Sequence, residues 1–250
     1  MGFFDEMKAD IAARKAYTAH VQGNRLAEQG KAAEAKVKHN DALNQYKKAV
    51  DGGFSKPSYL MAYGVLLLRV RRFEEAKEIF LKAEKSREIT KAERSQLRIN
   101  FAIAQWKLGN LDSAIENLKI AKEQGVNGTI YGSLGYILVE KARQTGDYEE
   151  ALAMNMEALE YDDEDAVVLD NLGQLYLSKG EKDKALEYFT KAHEKKPSQV
   201  DTLYYLAKLA IERGENEQAK EYLNDALTGN YSALCTTTLE QAQELLASIR

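Results

Sequence analysis

One set of residues recurs about every 34 positions along the chain, and this recurrence restricts the fold more than any other feature of the sequence. In each copy a bulky apolar residue precedes Leu-Gly or a near equivalent, and an alanine, a bulky residue and a second alanine follow. The clearest copy contains Leu169, Leu172, Gly173, Tyr176, Ala185, Phe189, Ala192 and Pro197. Such a recurrence predicts stacked units, each covering the apolar face that its neighbour leaves open.

The small residues of the pattern are expected where two helices cross closely, and the bulky residues fill the space around each crossing. Each copy is therefore predicted to be a pair of antiparallel helices. A degenerate first copy contains Gly23, Ala42 and Tyr46, and we interpret it as having about seven extra residues between its two helices, or two helical turns. The fourth copy has about four extra residues around 141–145, which are expected to lengthen only the turn between its helices.

The segment from Leu169 to Pro197 resembles the tetratricopeptide repeat family. It meets the family pattern W-x-x-L-G-x-x-Y, then A-x-x-x-F, then P, with only the tryptophan replaced. The resemblance covers about Ala16 to Tyr231 and implies an all-α fold, a right-handed superhelical solenoid of about six antiparallel helix pairs with a C-terminal capping helix. We expect a helical lead-in over 1–15, a solenoid over 16–235 and the capping helix over 236–250. The repeats are expected at 16–56, 57–90, 91–127, 128–165, 166–199 and 200–235.

Start signals support these helices. Three segments begin with a hydroxyl residue that can cap free backbone N–H groups and have an acidic residue three positions later. They are Thr90-x-x-Glu93, Ser198-x-x-Asp201 and Thr237-x-x-Glu240. Only two prolines occur, Pro57 and Pro197, and both lie between repeats, where they separate helices without breaking them.

Composition and motifs exclude several classes of function. The net charge is −4 and Lys and Arg are mixed among Asp and Glu, so we expect no nucleic acid partner. No apolar run is long enough for an integral membrane segment, and the single cysteine, Cys235, suits a reducing compartment, so a cytoplasmic location is expected. The three histidines are widely separated and lack metal-ligand spacing, so we expect no metal, no cofactor and no enzymatic activity.

In the family that the chain resembles, the first helix of each pair lines the inner, concave wall. Register with the family pattern places fifteen residues in a peptide-binding groove. They are Met61, Val65, Leu68, Asn100, Ile103, Trp106, Gly132, Tyr136, Val139, Asp170, Asn171, Gln174, Tyr204, Tyr205 and Lys208. The apolar ones from Met61 to Val139 form a strip that a partner would cover, and the polar ones after it would orient that partner. Gly132 is expected to let the partner backbone come close. The alternative is that some of these side chains pack against a neighbouring repeat.

The sequence therefore predicts a non-catalytic scaffold or adaptor that binds a peptide or protein segment in its concave groove. One alternative is a regulatory solenoid that senses a short peptide, and the other is an enzyme with an unrecognised site between repeats. Family members that hold the C-terminal carboxylates of chaperones use Lys and Asn in the first repeat and Lys and Arg further along the groove. A clamp of this kind is not expected here, because those places hold residues such as His20, Asn24, Gln96 and Asn100.

The N-terminus carries four apolar residues at roughly helical spacing, Phe3, Phe4, Met7 and Ile11. We expect them to pack beneath the first repeat. Self-association into a homo-oligomer and contact with a membrane surface are the alternatives.

Overall fold

The computed structural model describes residues 3–125, 127–229, 231 and 235–249, with only the backbone given for Phe3. Thirteen α-helices and no strand occur in this part of the chain, which confirms the all-α prediction. The chain divides into two compact units, unit 1 (Met1–Asn110) and unit 2 (Leu111–Arg250). Unit 1 contains α1 (Phe3–Glu28), α2 (Ala32–Asp51), α3 (Pro57–Arg69), α4 (Phe73–Glu84) and α5 (Lys91–Lys107). Unit 2 contains α6 (Leu111–Gln124), α7 (Gly128–Thr145), α8 (Glu149–Tyr161), α9 (Ala166–Ser178), α10 (Lys182–Lys195), α11 (Val200–Glu212), α12 (Asn216–Thr228) and α13 (Leu239–Ser248).

Close helix crossings occur where the repeat pattern predicts them. A Cβ added to Gly64 of α3 would lie 2.3 Å from the Phe80 ring of α4, and one added to Gly173 of α9 would lie 2.6 Å from the Phe189 ring of α10. Both rings are fully buried. The glycines are therefore needed because each hairpin seats an aromatic ring directly on the backbone of its first helix.

In the first hairpin the glycine and the ring that packs on it are as far apart in sequence as in the two hairpins described above. The prediction of seven extra residues between its helices is therefore wrong. A Cβ on Gly23 would lie 2.3 Å from the imidazole of His39, and the interval between these residues equals that between Gly64 and Phe80. His39 thus takes the place of the aromatic ring. The additional residues extend the far ends of α1 and α2, where Tyr46 is buried. The predicted lead-in is continuous with the first repeat helix, since both belong to α1.

The fourth copy is lengthened in its first helix, and not in the turn as expected. Helix α7 continues through Thr145 and ends at Gly146, which adopts the left-handed φ of 77°. A Cβ on Gly135 of α7 would lie 2.3 Å from Oδ1 of the buried Asn155 in α8, so the close crossing is kept. The four extra residues therefore add about one helical turn to α7.

Two of the three expected helix starts occur at or near the predicted residues. Thr90 accepts a hydrogen bond from the N–H of Glu93, and the Glu93 carboxylate accepts one from the N–H of Thr90, which confirms that capping box. The last helix is capped by Thr238 with Gln241, one residue later than predicted. The shift has a physical cause, because Thr237 is buried and its N–H is already engaged by Asp201 of α11.

The apolar N-terminal residues do not pack beneath the first repeat, so this prediction is wrong for three of them. Phe4 is 70% exposed and Met7 and Ile11 are each 45% exposed, because α1 turns a row of alanines inward on the opposite side, including Ala9 and Ala13. The side chain of Phe3 lies outside the described residues.

Candidate functional site

The candidate site is the side of the first helices that the resemblance assigns to the inner wall. In unit 1 helix α1 contacts α3 and α3 contacts α5, and in unit 2 helix α9 contacts both α7 and α11. We define the unit 1 face as Tyr17, Val21, Asn24, Met61, Val65, Arg69, Asn100, Ile103 and Lys107. We define the unit 2 face as Tyr136, Glu140, Arg143, Asp170, Gln174, Leu177, Tyr204, Tyr205 and Lys208.

Most of the predicted apolar strip is covered by the protein itself. Leu68, Ile103, Trp106, Tyr136 and Val139 are all at most 8% exposed. They offer a partner little area, and their role in binding stays a prediction. The alternative that such side chains pack within the array accounts for their burial.

The apolar surface of the unit 1 face is centred closer to α1 than the sequence indicated. Tyr17 and Val21 are 48% and 49% exposed, and Met61 and Val65 of α3 are half-buried. The ring of Tyr17 lies 5.5 Å from that of Tyr59, between centroids, which joins α1 to α3. Val21 was not predicted, although it lies one helical turn after Tyr17 and a spacing argument could have found it.

A cluster of polar side chains lies beside this apolar surface and connects α1, α2 and α3. Nε2 of His39 lies 3.0 Å from Oδ1 of Asn24, which also accepts a hydrogen bond from Arg69. His20 lies beside them, with Nδ1 3.4 Å from the Tyr46 hydroxyl and its ring centroid 5.9 Å from that of His39. Burial, Arg69 and His39 together lower the pKa of His20 to about 4, and burial and Arg69 also lower the pKa of His39. The cluster therefore holds two neutral imidazoles at pH 7.

The unit 2 face is built on a chain of hydrogen bonds that begins at a buried carboxyl group. Asp170 is 4% exposed and accepts from the Thr202 hydroxyl at 2.6 Å and from Nε2 of Gln174 at 2.7 Å. Oε1 of Gln174 in turn accepts from Arg143 at 2.9 Å, and Arg143 pairs with Glu140. Asp170 and Gln174 are therefore buried residues that stabilise the face through hydrogen bonds, and they expose little surface to a partner.

Asp201 explains why the Ser198 start signal is not used. Helix α11 begins after Gln199 without a side-chain cap, while the Asp201 carboxylate accepts from the N–H of Thr236 at 3.1 Å and from that of Thr237 at 2.7 Å. This contact fixes the segment that leads into α13.

The carboxyl group of Asp170 has a raised pKa. Burial, and then the charge of Asp201, raise the pKa of Asp170 to about 7.

Two other predicted residues serve helix packing. A Cβ on Gly132 would lie 2.9 Å from Val167, so the space at this glycine belongs to α9, contrary to the expectation that it admits a partner backbone. Nδ2 of Asn171 donates to the carbonyl of Gly132 at 2.9 Å. The same close approach of α7 and α9 therefore accounts for both residues.

The remaining part of the unit 2 face is open to solvent at α11. Tyr204 and Tyr205 are half-buried, and exposed Lys208 places Nζ 5.7 Å and 5.8 Å from their ring centroids. Sequence reasoning missed Arg143 and Glu140. Arg143 lies in the extra turn of α7, for which the repeat register gives no position.

No chemical centre is recognised in the described part of the chain. Within it, no three His, Cys, Asp or Glu side chains are grouped so that they could hold a metal ion. None of the helices described there combines the length and apolar character needed to cross a membrane. A cavity of about 480 Å³ in unit 2 is lined by Leu134 and Leu138 of α7 and by charged side chains of α6 and α8. Two of these charged side chains, Lys122 and Glu157, already form an ion pair with each other.

Hairpins crossed at small residues and repeated along the chain define a helical-repeat protein. Two family models, both described as tetratricopeptide repeat, match residues 166–199 and residues 183–230. Residues 166–230 therefore consist of tetratricopeptide repeats, as the resemblance predicted. No match is found among curated protein sequences.

Solved structures agree with this assignment. A thermophilic tetratricopeptide repeat protein of Thermus thermophilus is 22% identical, with 76% of this chain and 97% of that chain covered and a TM-score of 0.63. The C-terminal part of a repeat-containing protein of Cytophaga hutchinsonii is 17% identical, with 86% and 78% covered and a TM-score of 0.55. At these identities the likeness establishes the fold.

Proposed function

We propose that the protein is a non-catalytic, cytoplasmic scaffold and that it binds a segment of a partner protein on the unit 1 face. The tetratricopeptide fold supports a protein-interaction role in general. The observation that carries the assignment to this face is the pair of half-exposed residues Tyr17 and Val21, beside the half-buried Met61 and Val65.

The physical argument concerns apolar area. Single exposed apolar residues are normal on a protein surface, whereas adjacent ones on neighbouring helices form a patch that binding would cover. Tyrosine contributes large contact area at low cost in conformational entropy, and it is frequent among residues that dominate binding energy. The polar cluster of Asn24 and Arg69 next to the patch would give a bound segment its orientation.

The test compares two valine substitutions in the same hairpin. Val21→Ser alters the unit 1 face. Val37→Ser is the control, because Val37 is 67% exposed and lies on α2, the second helix of the same hairpin, outside the face. Immobilised protein is used to capture partners from a native extract, and thermal unfolding verifies that both variants are folded. We expect Val21→Ser, and more so the double variant with Tyr17→Ser, to lose proteins that wild type and Val37→Ser retain. Equal capture by all four proteins would refute the assignment of the face.

A further inference from the structure

The two units differ in charge, which the net charge of −4 for the whole chain conceals. Unit 1 contains 21 Lys and Arg against 13 Asp and Glu, a net charge of +8. Unit 2 contains 14 against 26, a net charge of −12. The field around unit 1 is therefore positive, and the balance of the whole chain says little about what this unit attracts.

The difference in charge extends to the faces themselves. In unit 1, Arg69 lies one helical turn after Val65, and Lys107 lies one turn after Ile103. A third cation, the exposed Arg25, lies one turn after Val21. On each of the three helices the last apolar position of the face is thus followed by a positive charge on the same side of the helix. Helix α1 differs at one position. The repeat position that Arg69 occupies in α3 is occupied in α1 by an acidic residue, Glu28, which is the last residue of that helix.

Two of the three corresponding positions of unit 2 are acidic, and the third is Ser178 of α9. Glu140 follows Tyr136 by one turn and pairs with Arg143, and Glu212 follows Lys208 by one turn and pairs with Lys182. By contrast, Arg69 donates a hydrogen bond to the amide oxygen of Asn24, which carries no net charge and so does not neutralise the guanidinium.

We infer that the unit 1 face binds an acidic segment of a partner protein, in which Asp or Glu residues alternate with large apolar side chains. This inference rests on the proposed function of that face. The apolar side chains would cover Val21, Met61 and Val65, and the carboxylates would meet Arg25, Arg69 and Lys107. A positively charged unit also speeds the encounter with an acidic partner and disfavours a basic one. Aliphatic residues at the centre of the face favour a protein over a nucleic acid, whose backbone carries no apolar side chains to cover them.

The first experiment measures which chemistry the face selects. Three fluorescent peptides share the same leucine and phenylalanine positions, carry Glu, Gln or Lys between them, and end in an amide so that no C-terminal carboxylate contributes. A fluorescent single-stranded oligothymidylate is the fourth probe. By anisotropy with the full-length chain, we expect the Glu peptide to bind at least about tenfold more tightly than the Gln peptide and to weaken when salt is raised from about 0.05 M to about 0.5 M. Equal or tighter binding of the Gln peptide, the Lys peptide or the oligonucleotide would overturn the inference.

The second experiment locates the binding. Lys107→Gln removes one positive charge from the unit 1 face, and Arg25→Gln removes one beside it, one helical turn after Val21. Lys48→Gln removes one from an exposed position of α2 and is the matched control for these two face variants. We expect each face variant to weaken the Glu peptide by about threefold or more and the control to change it little. If Lys48→Gln weakens binding as much as the face variants do, a diffuse field acts instead of this face, and the inference fails.

The two proposals can fail separately. Loss of captured proteins in Val21→Ser, together with no preference for the Glu peptide, would leave the proposed function intact and refute the acidic partner. Tight binding of the Glu peptide that Val21→Ser does not weaken would refute the assignment of the face itself.

Discussion

Acidification is expected to destabilise unit 1 through the buried His20. The folded protein holds its pKa at about 4, whereas an unfolded histidine titrates near its ordinary value of 6.5. Between these values the unfolded chain binds a proton that the folded chain does not. The stabilisation from neutral His20 is therefore fully present above pH 6.5 and is lost as pH falls from 6.5 towards 4.

The magnitude follows from that difference in pKa. Moving from pH 7 to pH 5 should lower the free energy of unfolding by up to about 2 kcal/mol through His20 alone. His39 acts in the same direction, because its pKa is also lowered. Protonation of either imidazole would add a positive charge beside Arg69, whose hydrogen bond to Asn24 joins α3 to α1. The first hairpin should therefore loosen before unit 2 does.

Urea unfolding at pH 7, 6 and 5, followed by the fluorescence of the single tryptophan, Trp106, measures the effect in unit 1. His20→Gln should show a clearly smaller loss between pH 7 and pH 5 than wild type, and His193→Gln in unit 2 serves as the matched control. An NMR titration of the His20 ring gives an independent value of its pKa. A midpoint at or above 6.5, or an unchanged pH dependence in His20→Gln, would refute the reasoning.

Three further predictions concern packing and capping. Gly173→Ala places a Cβ 2.6 Å from the Phe189 ring and should cost about 1–3 kcal/mol in thermal or urea unfolding, so an unchanged stability would show that the ring moves freely. Thr90→Ala removes one side of a capping box and should cost about 1 kcal/mol, and a loss below a few tenths would mean that α5 does not depend on its cap. Asp201→Ala should increase hydrogen exchange of the Thr236 and Thr237 amides and of α13, with α9 and α10 unchanged, and unaltered protection of α13 would contradict the anchoring role.

The repeat interval was sufficient to predict the hairpins in which a glycine faces an aromatic ring. It failed in the first hairpin, because His39 occupies the aromatic position there and a histidine does not match a pattern of bulky apolar residues. Alignment on Ala42 and Tyr46 consequently placed the extra residues between the helices, whereas they lie at the far ends. It failed again in the fourth copy, because an insertion in the sequence does not reveal whether a helix or a turn absorbs it.

The face was harder to predict than the fold. Val65 and Tyr136 occupy the same position of the repeat, yet Val65 is half-buried and Tyr136 is 8% exposed. Exposure depends on what the adjacent helices place over a side chain, and the added turn of α7 supplies Arg143 at a place that no other repeat provides. The register assigns one side of each helix to the wall, and it cannot give the area on that side that remains open.

By itself the sequence determined the class of fold, the helix pairs and the unequal charge of the two halves, because these depend on residue types and their spacing along one chain. The tertiary structure decided which apolar side chains reach solvent, that Asp201 holds the entry to α13, and that two imidazoles share a site with Arg69. Burial and pKa values arise from atoms that are distant in sequence and adjacent in space, so only the folded chain could supply them.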